Sequence, residues 1–160
     1  MHAEPQDEHR WLQRLVGEWT YEHRAAMGPE QPEEVFRGTE SVRGIGDLWI
    51  LAEGRGTMPG GGAATMMLTI GFDPERKRFV GTWIGSMMTT LWIYDGWLSE
   101  DGATLTLEAE GPSFSGDGTR ALYRDITEMK SPDHRVFRGT VRQEDGTWHE
   151  FMRADYRRKA

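Results

Sequence analysis

The chain has 160 residues, a formal charge of −7 and 37% hydrophobic residues, among them seven Trp, six Phe and four Tyr. This amount of large apolar surface predicts one folded domain over residues 1–160, and the acidic balance argues against nucleic acid as a partner. The absence of cysteine excludes disulfides, thiolate nucleophiles and iron–sulfur clusters.

The N-terminal segment and the apolar runs bear on where the protein is found. The first eight residues are polar and acidic, unlike a secretory signal. No apolar run approaches the roughly 18 residues that cross a membrane. We therefore predict a cytoplasmic protein with no membrane partner.

Apolar residues follow helical spacing in one segment near the N-terminus. Trp11, Leu12, Leu15 and Val16 form one stripe, which predicts a short helix over about residues 8–16. From Glu18 onward, short β-type runs alternate with turn sequences such as Asp-Pro and Asp-Gly. The predicted strands are 18–26, 34–43, 47–57, 64–72, 78–87, 89–97, 103–110, 120–129, 135–143 and 147–157.

The short connections determine the predicted architecture. Neighbouring strands joined by short turns pair antiparallel, and a long meander closes on itself because closure removes the exposed edges. The expected fold is therefore all-β, a ten-stranded antiparallel up-and-down β-barrel with a short N-terminal helix. A two-sheet sandwich is the alternative, and the scarcity of long crossovers counts against it.

Alternation of side chains assigns faces to the first and last strands. Trp19, Tyr21 and His23 alternate with polar residues in the first strand and are predicted to point inward. In the last strand, the same rule predicts that His149 points outward. The alternate positions are predicted to point inward, and these are Trp148, Glu150, Met152, Ala154, Tyr156 and Arg158.

The run from Val80 to Trp97 has large apolar residues at both parities. A strand segment of this kind is typically buried on both faces. We therefore expect the helix, a loop or a second subunit to cover its outside. A homodimer through residues 80–97 is one such arrangement.

Two features resemble the calycin superfamily, the lipocalin and fatty-acid-binding barrels. They are a helix followed by Gly17-Glu18-Trp19, and a basic residue on the last strand. The resemblance implies that a basic residue, Arg158 by its inward parity or else Arg157, lies across the ring of Trp19 and closes one end of the barrel. Such a contact contributes about 0.5 to 2 kcal/mol.

A closer resemblance, over nearly the whole chain, is to the bacterial DUF1579 family. Many members that we associate with this family carry an Asp at the position of Gly85, so any role of that carboxylate is absent from this chain. The resemblance implies a calycin-like β-barrel of unassigned function and transfers no catalytic residues. The motifs that carry it include Leu15-Val16-Gly17-Glu18-Trp19, Gly71-Phe72-Asp73-Pro74, Phe79-Val80-Gly81-Thr82-Trp83-Ile84, Tyr123-Arg124-Asp125-Ile126 and Asp145-Gly146-Thr147-Trp148.

The width of a ten-stranded barrel favours an internal cavity, because side chains fill barrels of about eight strands. Indole rings and thioethers suit flat or irregular ligands, so we predict binding of a small lipophilic or aromatic molecule. It would enter at the end opposite the Trp19–Arg158 closure. A filled core is the alternative. The predicted lining residues are Tyr21, His23, Trp83, Met87, Trp92, Tyr94, Tyr123 and Met152.

An enzyme on the same scaffold is the second hypothesis. A buried His23 or Glu40 has a shifted pKa and could act as a base, with Tyr21 or Tyr94 as proton donor. The alternative reading is structural: a hydrogen-bonded histidine, and a carboxylate paired with one of the arginines Arg43, Arg124 or Arg138.

Metal and cofactor chemistry have little support in the sequence. No His-x-His or His-x-x-x-His spacing occurs, so neither a metal site nor a cofactor is predicted. A haem barrel resembling nitrobindin is the lesser alternative. That pattern has a His near the chain end followed by Leu, whereas here Glu150 and Phe151 follow His149.

Overall fold

The computed structural model describes residues 1–26, 32–58 and 60–160. Its ten strands form a closed antiparallel barrel in chain order, with β1 pairing β10, which confirms the predicted fold class. Among these residues, no helix has the length and apolar character needed to span a membrane. The elements are α1 (Asp7–Gln13), β1 (Gly17–Ala26), β2 (Glu33–Ile45), β3 (Trp49–Thr57), β4 (Ala63–Asp73), β5 (Arg78–Gly85), β6 (Trp92–Leu98), β7 (Thr104–Pro112), β8 (Arg120–Ser131), β9 (His134–Arg142) and β10 (Trp148–Arg158).

Most element boundaries lie within two residues of the predicted ones, and the largest differences are at the end of the helix and around residues 86–91. The helix ends at Gln13, before the predicted 16, and Gly17 opens β1 with a φ of +139°, which a side chain would disfavour. β5 ends at Gly85, where the amide of Met88 donates to its carbonyl and turns the chain. Residues 86–91 are therefore a loop, whereas the sequence predicts that both strands continue through this region.

The helix closes one end of the barrel. Nε1 of Trp11 donates a 2.6 Å hydrogen bond to the carbonyl of Gly102, and its ring packs edge-on against Phe79. The guanidinium of Arg158 lies 4.3 Å from the ring centre of Trp19 and donates to the carbonyl of Val16. These contacts join the chain ends and leave Trp19 fully buried.

Exposure of the inward-facing side chains changes along the barrel axis. Near α1 most of these side chains are buried, with Phe72 and Leu98 partly exposed: Trp19, Ile50, Ile70, Phe79, Leu105 and Tyr156 are the buried ones. Toward the other end Phe36, Ala64 and Tyr123 are also buried, whereas these inward-facing side chains remain partly exposed: Met66, Leu68, Trp83, Trp92, Phe137 and Met152. Since the strands shield inward side chains from the outside, water reaches them through the end opposite α1. We call the interior space near this end the lumen.

A β-bulge between Glu150 and Met152 reverses the faces of the start of β10. Trp148 points outward, with the guanidinium of Arg124 4.2 Å from its ring centre, and Glu150 points outward to form a 3.0 Å ion pair with Arg153. The prediction of inward faces for these two residues is therefore wrong. His149 pairs in register with Val141, which faces inward, so the predicted outward face of His149 is also wrong. Its side chain lies exposed at the rim of the barrel.

The outer side of the 80–97 run is open in the single chain. Ile84 and Ile93 are 49% and 66% exposed, and Leu91 and Met67 beside them are also exposed. The expectation that the helix or a loop covers this face is wrong for the described residues. We call these four residues the outer strip, and the homodimer through 80–97 remains a prediction.

Candidate functional site

A buried ion pair lies just inside the closed end of the barrel. Arg135 of β9 pairs with Glu40 of β2, and their side chains are only 8% and 14% exposed. The Arg135 guanidinium lies 4.6 Å from the ring centre of Trp19 and 4.0 Å from that of Tyr156. Both charges are thus compensated by partners within the barrel.

The arginine that pairs with Glu40 is not one of the three that the sequence suggested as its partner. None of Arg43, Arg124 and Arg138 pairs with Glu40 in the part of the chain that the structure describes, and Arg135 does. Arg135 shares strand parity with Phe137, whose ring stacks on inward-facing His23. This parity was the available signal for an inward arginine.

His23 lies one layer further into the lumen. Its Nε2 atom is 3.1 Å from the hydroxyl of Tyr156, and its ring centre is 4.5 Å from that of Tyr21. Burial, and then the charge of Arg135, lowers the pKa of His23 to about 4. The imidazole is therefore neutral at neutral pH.

A carboxylate that sequence reasoning missed lies in the middle of the lumen. The hydroxyl of Tyr94 donates a 2.5 Å hydrogen bond to Oδ2 of Asp125. Burial raises the pKa of Asp125 to about 6, and the hydrogen bond from Tyr94 opposes that rise. Asp125 has the same parity as Tyr123, which was predicted to face inward, so the sequence contained the signal.

Aromatic rings line the open part of the lumen. Trp83 and Trp92 are cross-strand neighbours, and the Trp92 ring meets Tyr123 edge-on at 5.0 Å. Phe151, the extra residue at the bulge, packs edge-on against Tyr123 at 6.0 Å and against Phe114 at 5.0 Å. These rings give the mouth of the lumen a wall of flat apolar surfaces.

Glycines in the wall allow two of these rings to lie against the backbone. A Cβ atom at Gly56 would collide with the Tyr21 hydroxyl, and one at Gly111 would collide with the Trp92 ring. Side chains at these positions would push both rings toward the barrel axis. The glycines therefore preserve lumen width at two levels.

The predicted lining residues fall into two groups by position. Seven of them face inward from strands: Tyr21, His23, Trp83, Trp92, Tyr94, Tyr123 and Met152. The eighth, Met87, lies in the 86–91 loop at the rim and is 36% exposed. Their roles in ligand binding remain predictions.

The fold and interior define a class of protein: closed up-and-down barrels whose interior is lined with aromatic side chains. Residues 4–158 match the model of the family described as "Protein of unknown function (DUF1579)", and the chain belongs to this family. No curated protein matches the sequence.

Solved structures with this fold share little sequence with the chain. Rv2717c from M. tuberculosis has a TM-score of 0.69 at 12% identity, covering 98% of this chain and 100% of that one. The S-type phycobiliprotein lyase CPES from Guillardia theta gives 0.61 at 14%, covering 98% and 99%. EF1p2_mFAP2b bound to DFHBI gives 0.51 at 13%, covering 96% and 100%. At these identities the likeness shows a common fold alone.

Proposed function

We propose that this protein binds a small, flat aromatic molecule in the lumen. The observation that carries the proposal is the partial exposure of large apolar side chains that face inward at the end opposite α1. Trp83, Trp92 and Met152 face inward and are partly exposed although the strands cover them. A space that water enters between apolar walls is one that a ligand can occupy.

The chemistry of the walls supports an aromatic ligand. The Trp83, Trp92 and Tyr123 rings offer flat faces, and the thioethers of Met66 and Met152 adapt their shape to irregular ligands. A barrel of similar fold, EF1p2_mFAP2b, has been solved bound to DFHBI. That precedent supports the general use of such a lumen, and the ligand of this chain is a separate question.

Binding of acridine, a neutral planar probe near neutral pH, tests the proposal through quenching of tryptophan fluorescence. Trp83→Ala removes a lumen ring and should weaken binding about tenfold, because one buried aromatic contact contributes about 1.4 kcal/mol. Trp49→Ala is the matched control, since Trp49 lies on the outer face over Gly71 and should leave binding unchanged. Equal effects of the two variants, or no saturable binding, would overturn the proposal.

Acid/base catalysis on the same scaffold is the second candidate. The observation in its favour is that two tyrosine hydroxyls contact titratable groups in the interior, Tyr156 at His23 and Tyr94 at Asp125. Glu40 is already paired with Arg135, so His23 is the better placed of the two bases that the sequence suggests. A His23→Ala variant that retains full turnover on any substrate found would remove that residue from the mechanism.

We also propose, from the sequence, that the protein forms a homodimer and that it is found in the cytoplasm. The outer strip is the surface through which a second copy would bind, because its apolar side chains are uncovered in the single chain. A cytoplasmic location, and the lack of a nucleic-acid or membrane partner, follow only from composition and likewise remain predictions.

A further inference from the structure

We infer that the lumen selects aromatic ligands that carry a basic nitrogen, with the protonated N–H group binding Oδ1 of Asp125. This inference rests on the proposed function and adds the polar chemistry of the ligand. It assigns Asp125 a role in recognition that neither the family nor the sequence motifs provide.

The balance of charge within the barrel singles out Asp125. Glu40 and Arg135 neutralise each other beside Trp19 and Tyr156, and His23 is neutral. Among the described residues, no cationic side chain pairs with Asp125. A carboxylate without a counter-ion in a largely apolar space is unfavourable, and a cationic ligand would compensate it.

The two oxygens of Asp125 have different surroundings. Oδ2 accepts the hydrogen bond from Tyr94, which fixes the orientation of the carboxylate. Oδ1 accepts no hydrogen bond from any residue that the structure describes, and Asp125 keeps partial exposure although it faces inward. One oxygen is thus held in place while the other faces the lumen water.

The neighbours of Asp125 supply aromatic rings around it. Its cross-strand partners are Leu107 and Gly139. The ring of Phe151 lies over Gly139. With Tyr94 on one side and Phe151 on the other, the carboxylate has the aromatic surroundings that attract organic cations.

Three probes with one ring system test the inference near neutral pH and at physiological salt. They are 9-aminoacridine, which is a cation, acridine, which is neutral, and acridine-9-carboxylate, which is an anion. The protein should bind 9-aminoacridine about tenfold more tightly than acridine, because a charge-assisted hydrogen bond adds at least that factor. The anion should bind most weakly.

Asp125→Asn separates this preference from general attraction of cations to an acidic protein. It should bring the affinities for 9-aminoacridine and acridine to within about threefold of each other. Glu110→Gln is the matched control, because Glu110 is exposed on the outer face of β7 and the variant loses the same charge. It should retain the full preference.

The outcomes are distinct. Equal affinities of the unmodified protein for acridine and 9-aminoacridine, or a preference that survives Asp125→Asn, would overturn the inference and leave the proposed function standing. Failure of every probe to bind would overturn both. If Asp125→Asn does not fold, the unmodified protein is measured again at about 1 M salt, which screens attraction to the acidic surface but acts much less on a charge pair inside the barrel: a preference for 9-aminoacridine that persists supports the inference, and one that disappears overturns it.

Discussion

The hydroxyl of Tyr94 on β6 reaches Oδ2 of Asp125 on β8 at 2.5 Å, although β7 lies between these two strands in the barrel. The hydrogen bond therefore passes over the inner face of β7. It orients a carboxylate that burial makes hard to ionise, and it leaves one carboxylate oxygen accessible.

Asp125 should make the stability of the protein depend on pH. Its pKa is about 6 in the folded state against an ordinary value of 3.8, so the folded state binds more protons between these pH values. Its contribution to the free energy of unfolding therefore falls as pH rises from about 4 to 6, by up to about 3 kcal/mol. Asp125→Asn should remove this fall, and urea titrations at several pH values would measure it.

His23 should make the free energy of unfolding change with pH in the opposite direction to Asp125. Its folded pKa of about 4 lies below the ordinary 6.5, so the unfolded state binds more protons in that window. Its contribution to stability rises as pH increases from about 4 to 6.5. His23→Gln should therefore expose the falling slope from Asp125, while Asp125→Asn exposes the rising slope from His23. Identical pH profiles for the two variants would contradict this assignment.

The closure at the α1 end should contribute measurably to stability. Arg158→Met removes the guanidinium from the Trp19 ring and from the carbonyls of Arg14 and Val16. We expect the free energy of unfolding to fall by about 2 kcal/mol, as chemical denaturation would show. Arg157→Met, at the exposed neighbouring position, is the control and should change stability by less than about 0.5 kcal/mol.

Breaking the buried ion pair should destabilise the fold more strongly. Glu40→Gln leaves the Arg135 charge buried without a counter-ion, which costs about 3–5 kcal/mol. Glu53→Gln breaks the exposed Glu53–Arg55 pair and should cost less than about 1 kcal/mol. Similar losses for the two variants in thermal or urea unfolding would argue against a structural role for the Glu40–Arg135 pair.

Self-association through the outer strip can be measured directly. If residues 80–97 form a homodimer interface, sedimentation equilibrium should give twice the chain mass, and Ile93→Glu should return it to the monomer because a charge would be buried at the interface. Thr65→Glu places the same charge on the outer face at an exposed polar position as a control. A monomer at all concentrations would rule the homodimer out.

Sequence patterns predicted the fold because local alternation and turn residues determine an antiparallel meander. Trp19, Tyr21 and His23 alternate cleanly with polar residues, so their inward faces could be inferred. The continuous apolar run through Met87 and Met88 hid the 86–91 loop, because apolar character does not distinguish a strand from a loop at a barrel rim.

The remaining differences arise from interactions between strands. The bulge at Phe151 adds one residue to β10 and reverses every face before it, and no local sequence signal marks that insertion. Arg135 and Asp125 had inward parity, but charged residues are seldom assigned to an interior without knowledge of their partners. Those partners, Glu40 and Tyr94, are distant in sequence, so only the barrel register brings them together.

The most direct test of ligand binding in the lumen uses the methyl groups of neighbouring methionines. Met66 faces the lumen, while Met67, the next residue, lies outside in the outer strip. In an NMR spectrum with labelled methionine methyl groups, acridine should shift the Met66 and Met152 signals and leave that of Met67 unchanged. Shifts at Met67 with none at Met66 and Met152 would place the ligand on the outer surface and contradict the account.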